Sequence, residues 1–213
     1  MVDETAHVAG DDDDEPFEDG ETEVDEAEAP EPELDPEVAA RRAAALAHVR
    51  KYGDPALTTA AVPVDRFDDD LREQVGRMVT IMREGLGIGL AATQLGILNR
   101  VLVYQIGDAP LAALVNPVID WSGDELETLD EGCLSLPGVN VEVERPVNVR
   151  VRAHDANGEA LLIEASGLEA RVIQHELDHL DGVLILDRTT RELRKEAIRA
   201  LREAEQAADD EAA

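Results

Sequence analysis

Gln174-His175-Glu176-Leu177-Asp178-His179-Leu180-Asp181-Gly182 is the stretch from which the rest of this chain is read. If residues 169–180 are helical, His175 and His179 lie one turn apart on one face, their Cβ atoms roughly 6 Å from each other. Both imidazoles then reach a single metal ion, and Glu176 flanks that ion without having to be a ligand. Two neutral imidazoles holding a metal, beside a carboxylate that handles the proton of its bound water, form the zinc-hydrolase arrangement. The competing reading is an amphipathic helix whose histidines happen to fall four apart.

A catalytic metal site wants three protein ligands and one open position. Ile185 stands six residues after His179, where a metzincin pattern would need its third histidine. Glutamate zincins take an acid further downstream; Glu192, Glu196 and Glu203 are available but read as ordinary surface charges. The remaining candidate is Cys133, the single cysteine, within Glu131-Gly132-Cys133-Leu134-Ser135. A thiolate is a strong ligand for zinc or ferrous iron, whereas a lone buried cysteine is otherwise a small hydrophobe.

The formal charge of −30 over 213 residues is unevenly spread. Residues 1–37 hold 18 Asp or Glu and no Lys or Arg, so residues 38–213 carry the remaining −12. The body is therefore moderately acidic, which argues against a halophilic surface. Residues 1–34 are poor in apolar side chains and punctuated by Pro30 and Pro32, so a disordered acidic arm is expected there. The body is expected to span 35–207, with an acidic tail at 208–213. One cysteine excludes an intramolecular disulfide and favours a reducing compartment. No signal pattern or membrane-length apolar run is present, so a soluble cytoplasmic protein is expected.

Asp35-Pro36-Glu37 is a helix start, and the Ala-rich run to Lys51, closed by Gly53, predicts a first helix. Leu57 to Val64 reads as an extended connector. A second helix is expected over 68–84, where Leu71, Val75, Met78, Val79 and Met82 keep the rhythm of a core-facing stripe. Gly85 to Gly96 then mixes glycine with small apolar residues, as if another element lay against its backbone. Its glycine spacing fits neither a dinucleotide fingerprint nor a P-loop. Strands are expected over 100–106, 112–119, 141–153 and 160–165, with Asn157-Gly158 as a tight hairpin turn. A last helix is expected over 189–207. Strands first and the histidine helix late predict an α+β fold: mostly antiparallel β-sheets packed around a central metal-binding helix, plus N-terminal and C-terminal helices. On the last helix Arg188, Arg191, Lys195, Arg199 and Arg202 fall within an arc of about 80°. That strip is either a solvated face stitched by neighbouring glutamates or a surface for RNA phosphates.

Three segments together resemble the peptide deformylase family: Gly87-Ile88-Gly89-Leu90-Ala91-Ala92-Thr93-Gln94, Glu131-Gly132-Cys133-Leu134-Ser135 and Gln174-His175-Glu176-Leu177-Asp178-His179-Leu180. The similarity spans about residues 49–186 and leaves the acidic arm outside. It implies removal of the formyl group from N-formylmethionine at the start of new polypeptides, with release of formate. It also implies that Cys133, His175 and His179 bind one divalent metal and that Glu176 is general base and acid. The developing oxyanion would meet the Gln94 amide, the Leu134 backbone N–H and the metal. Backbone groups near Ile88 and Gly89 would pair with the extended peptide, and an apolar pocket partly lined by the histidine helix would take the methionine side chain. Glu131 and Gln174 would support ligand orientation, and Asp178 either joins them or faces solvent. A Cys-His-His set suits zinc and iron alike; the resemblance favours Fe2+, with Zn2+, Ni2+ or Co2+ as alternatives, and implies oxygen sensitivity. The implied partners are N-formylmethionyl nascent peptides and, transiently, the ribosome by way of the C-terminal helix; no membrane or DNA is involved. Two other readings stay open: a zincin-type metallopeptidase with a downstream glutamate ligand, and a non-catalytic protein that binds through its acidic arm.

Overall fold

Pro36 opens α1 (Pro36–Leu46), and the Asp35 carboxylate accepts from the Glu37 N–H at 2.9 Å, so the expected cap is made. The computed structural model describes residues 34–212, and the acidic stretch 1–33 lies outside them. α1 ends at Leu46, short of the expected Lys51. The amides that would have continued it are used elsewhere: Arg50 N–H donates to Gln94 O at 2.7 Å and Tyr52 N–H to Ser135 O at 3.0 Å. The expected connector begins instead with a short 3-10 turn, Pro55–Thr58. α2 (Asp69–Glu84) is capped by Asp68, and Leu71, Val75, Met78, Val79 and Met82 are all buried as the periodicity predicts. They pack with Ala45 of α1 and with Leu90, Val101 and Val103.

The glycine-rich segment supplies β1 (Gly89–Ala91) and a 3-10 turn, Ala92–Leu95. β2 (Val101–Tyr104) and β3 (Ala112–Ser122) follow, then β4 (Leu126–Cys133), β5 (Leu136–Pro146), β6 (Asn148–His154) and β7 (Ala160–Ser166). One antiparallel sheet has the order β1-β2-β3-β6-β7; β4 and β5 form a second, two-stranded sheet. The run 141–153, expected as one strand, is therefore two strands in different sheets. Pro146 explains the break, because it has no N–H to continue a ladder. β4 was not expected, since its acidic residues mask any apolar alternation. The Asn157-Gly158 turn joins β6 to β7: Gly158 has φ +89°, and Asp155 Oδ1 accepts from the Asn157 and Glu159 amides at 2.8 and 2.9 Å.

α3 (Gly167–Leu180) carries the histidines and is buried around most of its girth. Ala170, Ile173, Leu177 and Leu180 pack against Leu102, Leu114, Val149 and Val151 of the five-stranded sheet. The other side of α3 faces the two-stranded sheet, so the fold is α+β with this helix at its centre. α4 (Arg191–Ala212) lays Ala197 and Leu201 on Leu136, Val139, Val141 and Val143 of β5. It continues through the acidic end expected as a tail. Among the described residues no helix is long and apolar enough to cross a membrane.

Candidate metal centre

His175 and His179 project from α3 with ring centroids 4.9 Å apart in an edge-on arrangement. Cys133 ends β4, where the register shifts after Gly132, so that Gly132 faces Asn140 and Cys133 faces Leu136 across the tight turn to β5. Its Sγ lies 3.2 Å from His179 Nε2, and one ligating atom from each of Cys133, His175 and His179 lies within 4.8 Å of the others. This is the one such donor group among the described residues; Glu192, Glu196 and Glu203 are exposed on α4 and take no part. The thiol's shift suits metal ligation, whereas the shift at His175 favours its protonated form, so a metal there must displace a proton. Burial opposes charge on the Cys133 thiol, but His179 and His175 outweigh it and hold the thiol well below its ordinary value. Burial likewise opposes charge on His175, and its contacts with Cys133 and Glu131 raise it instead.

The tautomer of His175 is set by its neighbour. Its Nδ1 lies 2.9 Å from Glu131 Oε2. Burial raises the Glu131 carboxyl, but Arg145 and His175 prevail and hold it at about 2. An ionised carboxylate only accepts, so Nδ1 carries the proton and Nε2 is left for a ligand. Glu131 is itself clamped: Arg145 Nε and Nη2 meet its two oxygens at 2.6 and 2.9 Å, and Arg171 Nη1 adds a bond at 2.8 Å. Arg145 Nη1 reaches Asp178 Oδ2 at 2.9 Å, and Arg188 also binds Asp178. Asp178 is therefore buried within this network and does not face solvent. Arg188 precedes α4 and points inward to Asp178, so it leaves the basic strip expected on that helix. Gln174 has a different job from ligand support: its Nε2 donates to Pro146 O and Ala170 O, joining α3 to the end of β5.

Glu176 is buried, and burial raises its carboxyl against the pull of both histidines. Its Oε2 has no hydrogen-bond partner. A Cβ on Gly89 would collide with this carboxylate, which explains why the close-packed loop needs glycine there. Gln94, in the turn after β1, is anchored by its Oε1, which accepts from Ala91 N–H at 2.9 Å. Its Nε2 donates to Cys133 Sγ at 3.6 Å and meets Ser135 Oγ at 3.3 Å; the contact to oxygen is long, so that proton can still close on another oxygen. Leu134 stands between Cys133 and Ser135, and its side chain packs so near Gly87 that a Cβ there would collide with it. β1 is an edge strand. Ile88 O already accepts from Gln105 N–H at 2.9 Å, so by antiparallel alternation the backbone of Gly89 turns away from β2. The Ile88 side chain is exposed.

The donor set fits a divalent metal: one thiolate, two imidazoles, an oriented tautomer, and a buried carboxylate oxygen left unpaired next to them. Arg145, Arg171 and Lys51 were missed from the sequence. Arg145 had a signal, because it keeps the register of the buried residues Val139, Val141 and Val143 along β5. So did Arg171, which sits four residues before His175 on the same helix face.

Comparison with known proteins agrees with this geometry. The family model described as polypeptide deformylase matches residues 46–195. A peptide deformylase of Acidothermus cellulolyticus is 45% identical over 161 residues, covering 76% of this chain and 88% of its own. One from Natranaerobius thermophilus is 45% identical over 152 residues, covering 71% and 97%. Among solved structures, the Synechococcus elongatus peptide deformylase in complex with actinonin superposes with TM-score 0.69 at 43% identity, covering 71% of this chain and 85% of that one. The Thermotoga maritima peptide deformylase gives TM-score 0.65 at 43% identity, covering 67% and 96%.

Proposed function

The chain belongs to the polypeptide deformylase family, and from that premise we propose that it removes the formyl group from the N-terminal formylmethionine of new polypeptides, releasing formate. The observation that carries the reading is the convergence of Cys133, from a separate sheet, on the two histidines of α3. A divalent ion held by these three side chains supplies Lewis acidity towards water and the formyl oxygen. Everything else in the reaction belongs to side chains and backbone.

The extended peptide lies along the β1 edge, with Gly89 offering backbone groups turned away from β2 and the exposed Ile88 side chain beside it. The formyl oxygen faces the Gln94 amide and the Leu134 N–H, which stabilise the negative charge it gains in the transition state. Glu176, whose raised pKa brings it towards the working pH, takes a proton from the attacking water at its unpartnered Oε2. It then delivers that proton to the departing amine. Glu131 keeps His175 in the ligating tautomer throughout.

Ferrous iron is the ion in this proposal; zinc, nickel and cobalt suit the same donors, and a ligating thiolate makes the iron form oxygen-sensitive. The enzyme works in the cytoplasm on nascent chains, and exposed Arg191, Lys195, Arg199 and Arg202 on α4 offer a transient ribosome contact. Charge reversal at Arg191, Lys195 and Arg199 should weaken ribosome binding; unchanged binding makes the strip a solvated face. The site itself is tested by Cys133→Ala, which should lose both bound metal and formate release. A variant that keeps its metal and cuts internal peptide bonds would contradict the ligand set and favour a zincin reading.

A further inference from the structure

Three consecutive residues after α1 reach both halves of the proposed oxyanion site. Arg50 N–H donates to Gln94 O at 2.7 Å, and Tyr52 N–H donates to Ser135 O at 3.0 Å. Between them, the Lys51 ammonium donates to Leu134 O at 2.9 Å, across 83 residues of sequence. The two backbone bonds fix the path of the segment whatever the side chain at position 51. The lysine contact adds something different, because it is made to the peptide unit that follows the oxyanion donor.

Resting on the functional reading above, we propose that Lys51 is a positioning residue of the oxyanion site, its ammonium pinning the Leu134–Ser135 peptide plane, the immediate neighbour of the plane that carries the Leu134 N–H. A charged donor on a carbonyl makes a stronger, shorter-range restraint than a neutral one, and Leu134 has no other backbone partner at that oxygen among the contacts of the turn. That same peptide unit ends in the Ser135 N–H, which donates to Cys133 Sγ at 3.4 Å. Polarising the Leu134 carbonyl therefore also strengthens the Ser135 donor on the ligating sulfur. The ammonium is half-buried; burial lowers its pKa and the Cys133 thiolate opposes that shift, so the two charges feel each other. From the other side, Leu134 packs against Gly87, which couples the turn to the peptide-binding loop.

Lys51→Met keeps the length and apolar stem of the side chain and removes the donor. In the metal-loaded variant kcat for a formyl-methionyl peptide should fall about 10–100-fold with KM within about twofold of wild type. In ¹⁵N-labelled zinc protein the Leu134 and Ser135 amide resonances should move while those of the distant β6–β7 turn do not. A kcat within twofold of wild type, unmoved Leu134 and Ser135 amides, or a loss that tracks metal release overturns the proposal. If Lys51→Met does not fold, Lys51→Leu, which also lacks a donor, carries the same thresholds. Wild-type protein that binds metal but releases no formate overturns the functional reading instead, and the amide shifts then still report on Lys51.

Discussion

Replacing Arg145 by methionine removes the guanidinium that holds two buried carboxylates at once. Arg145, Glu131 and Asp178 are 4%, 6% and 7% exposed, and the arginine meets Glu131 at 2.6 and 2.9 Å and Asp178 at 2.9 Å. Breaking a buried pair by deleting one partner costs about 3–5 kcal/mol, because the remaining charge stays desolvated. Here Glu131 keeps Arg171 and His175, and Asp178 keeps Arg188, so the lower end applies: about 3 kcal/mol. At roughly 2–4 °C per kcal/mol for a chain of this size, Tm should fall by about 6–12 °C. Urea unfolding of wild type and variant, both fully metal-loaded, measures the loss directly. Adding Asp178→Asn to Arg145→Met should recover part of it, since without Arg145 the Asp178 carboxylate is left only with the half-exposed Arg188, which water can solvate once the carboxylate is gone. A loss below about 1 kcal/mol, with the double variant no better than the single one, would refute the account of this network.

Gln94→Leu should lower kcat about 10²–10³-fold, equivalent to about 2.7–4 kcal/mol, while bound metal is unchanged; steady-state kinetics with metal analysis checks both, and a rate within tenfold of wild type contradicts the oxyanion role. Tyr104→Phe tests a pH dependence. Tyr104 is buried and donates to Glu169 Oε1 at 2.8 Å, and burial with the neighbouring carboxylate raises its pKa above the ordinary 10.0. A raised pKa means the hydroxyl contributes stability that is complete below pH 10 and is lost as pH climbs towards the folded-state value. In urea unfolding the wild-type advantage over Tyr104→Phe, about 1.5 kcal/mol at pH 8, should shrink by about 1.4 kcal/mol per pH unit above 10; a gap independent of pH contradicts this.

The parts of the fold that rest on local rules were legible in the sequence. The stripe of α2, the Asp35 cap, the Asn157-Gly158 hairpin and the one-face spacing of His175 and His179 each follow from chain-local geometry. Strand allocation was not, because residues 141–153 alternate through a break that only Pro146 announces, and sheet membership is decided by distant partners. The site divides in the same way. Cys133, Glu176 and Gln94 carry chemistry in their residue types, and the fold brings them beside the histidines. The network behind them depends on burial: an arginine is ordinarily a surface residue, and only the core register of Arg145 hinted otherwise. Asp178 showed no preference from sequence because its partners, Arg145 and Arg188, lie on a different strand and beyond the helix end. Lys51 was invisible for the same reason, its acceptor being 83 residues away.

The central claim is that this centre hydrolyses a formyl amide with Glu176 moving the proton. Formate release from a formyl-methionyl peptide, by anaerobically purified protein of known metal content, tests it most directly alongside Glu176→Gln. The account predicts turnover by the wild type, and a variant that holds the same metal but releases formate at least about 10²-fold more slowly. Wild-type protein with a full complement of metal and no formate release, or a Glu176→Gln variant with near-normal turnover, would contradict it.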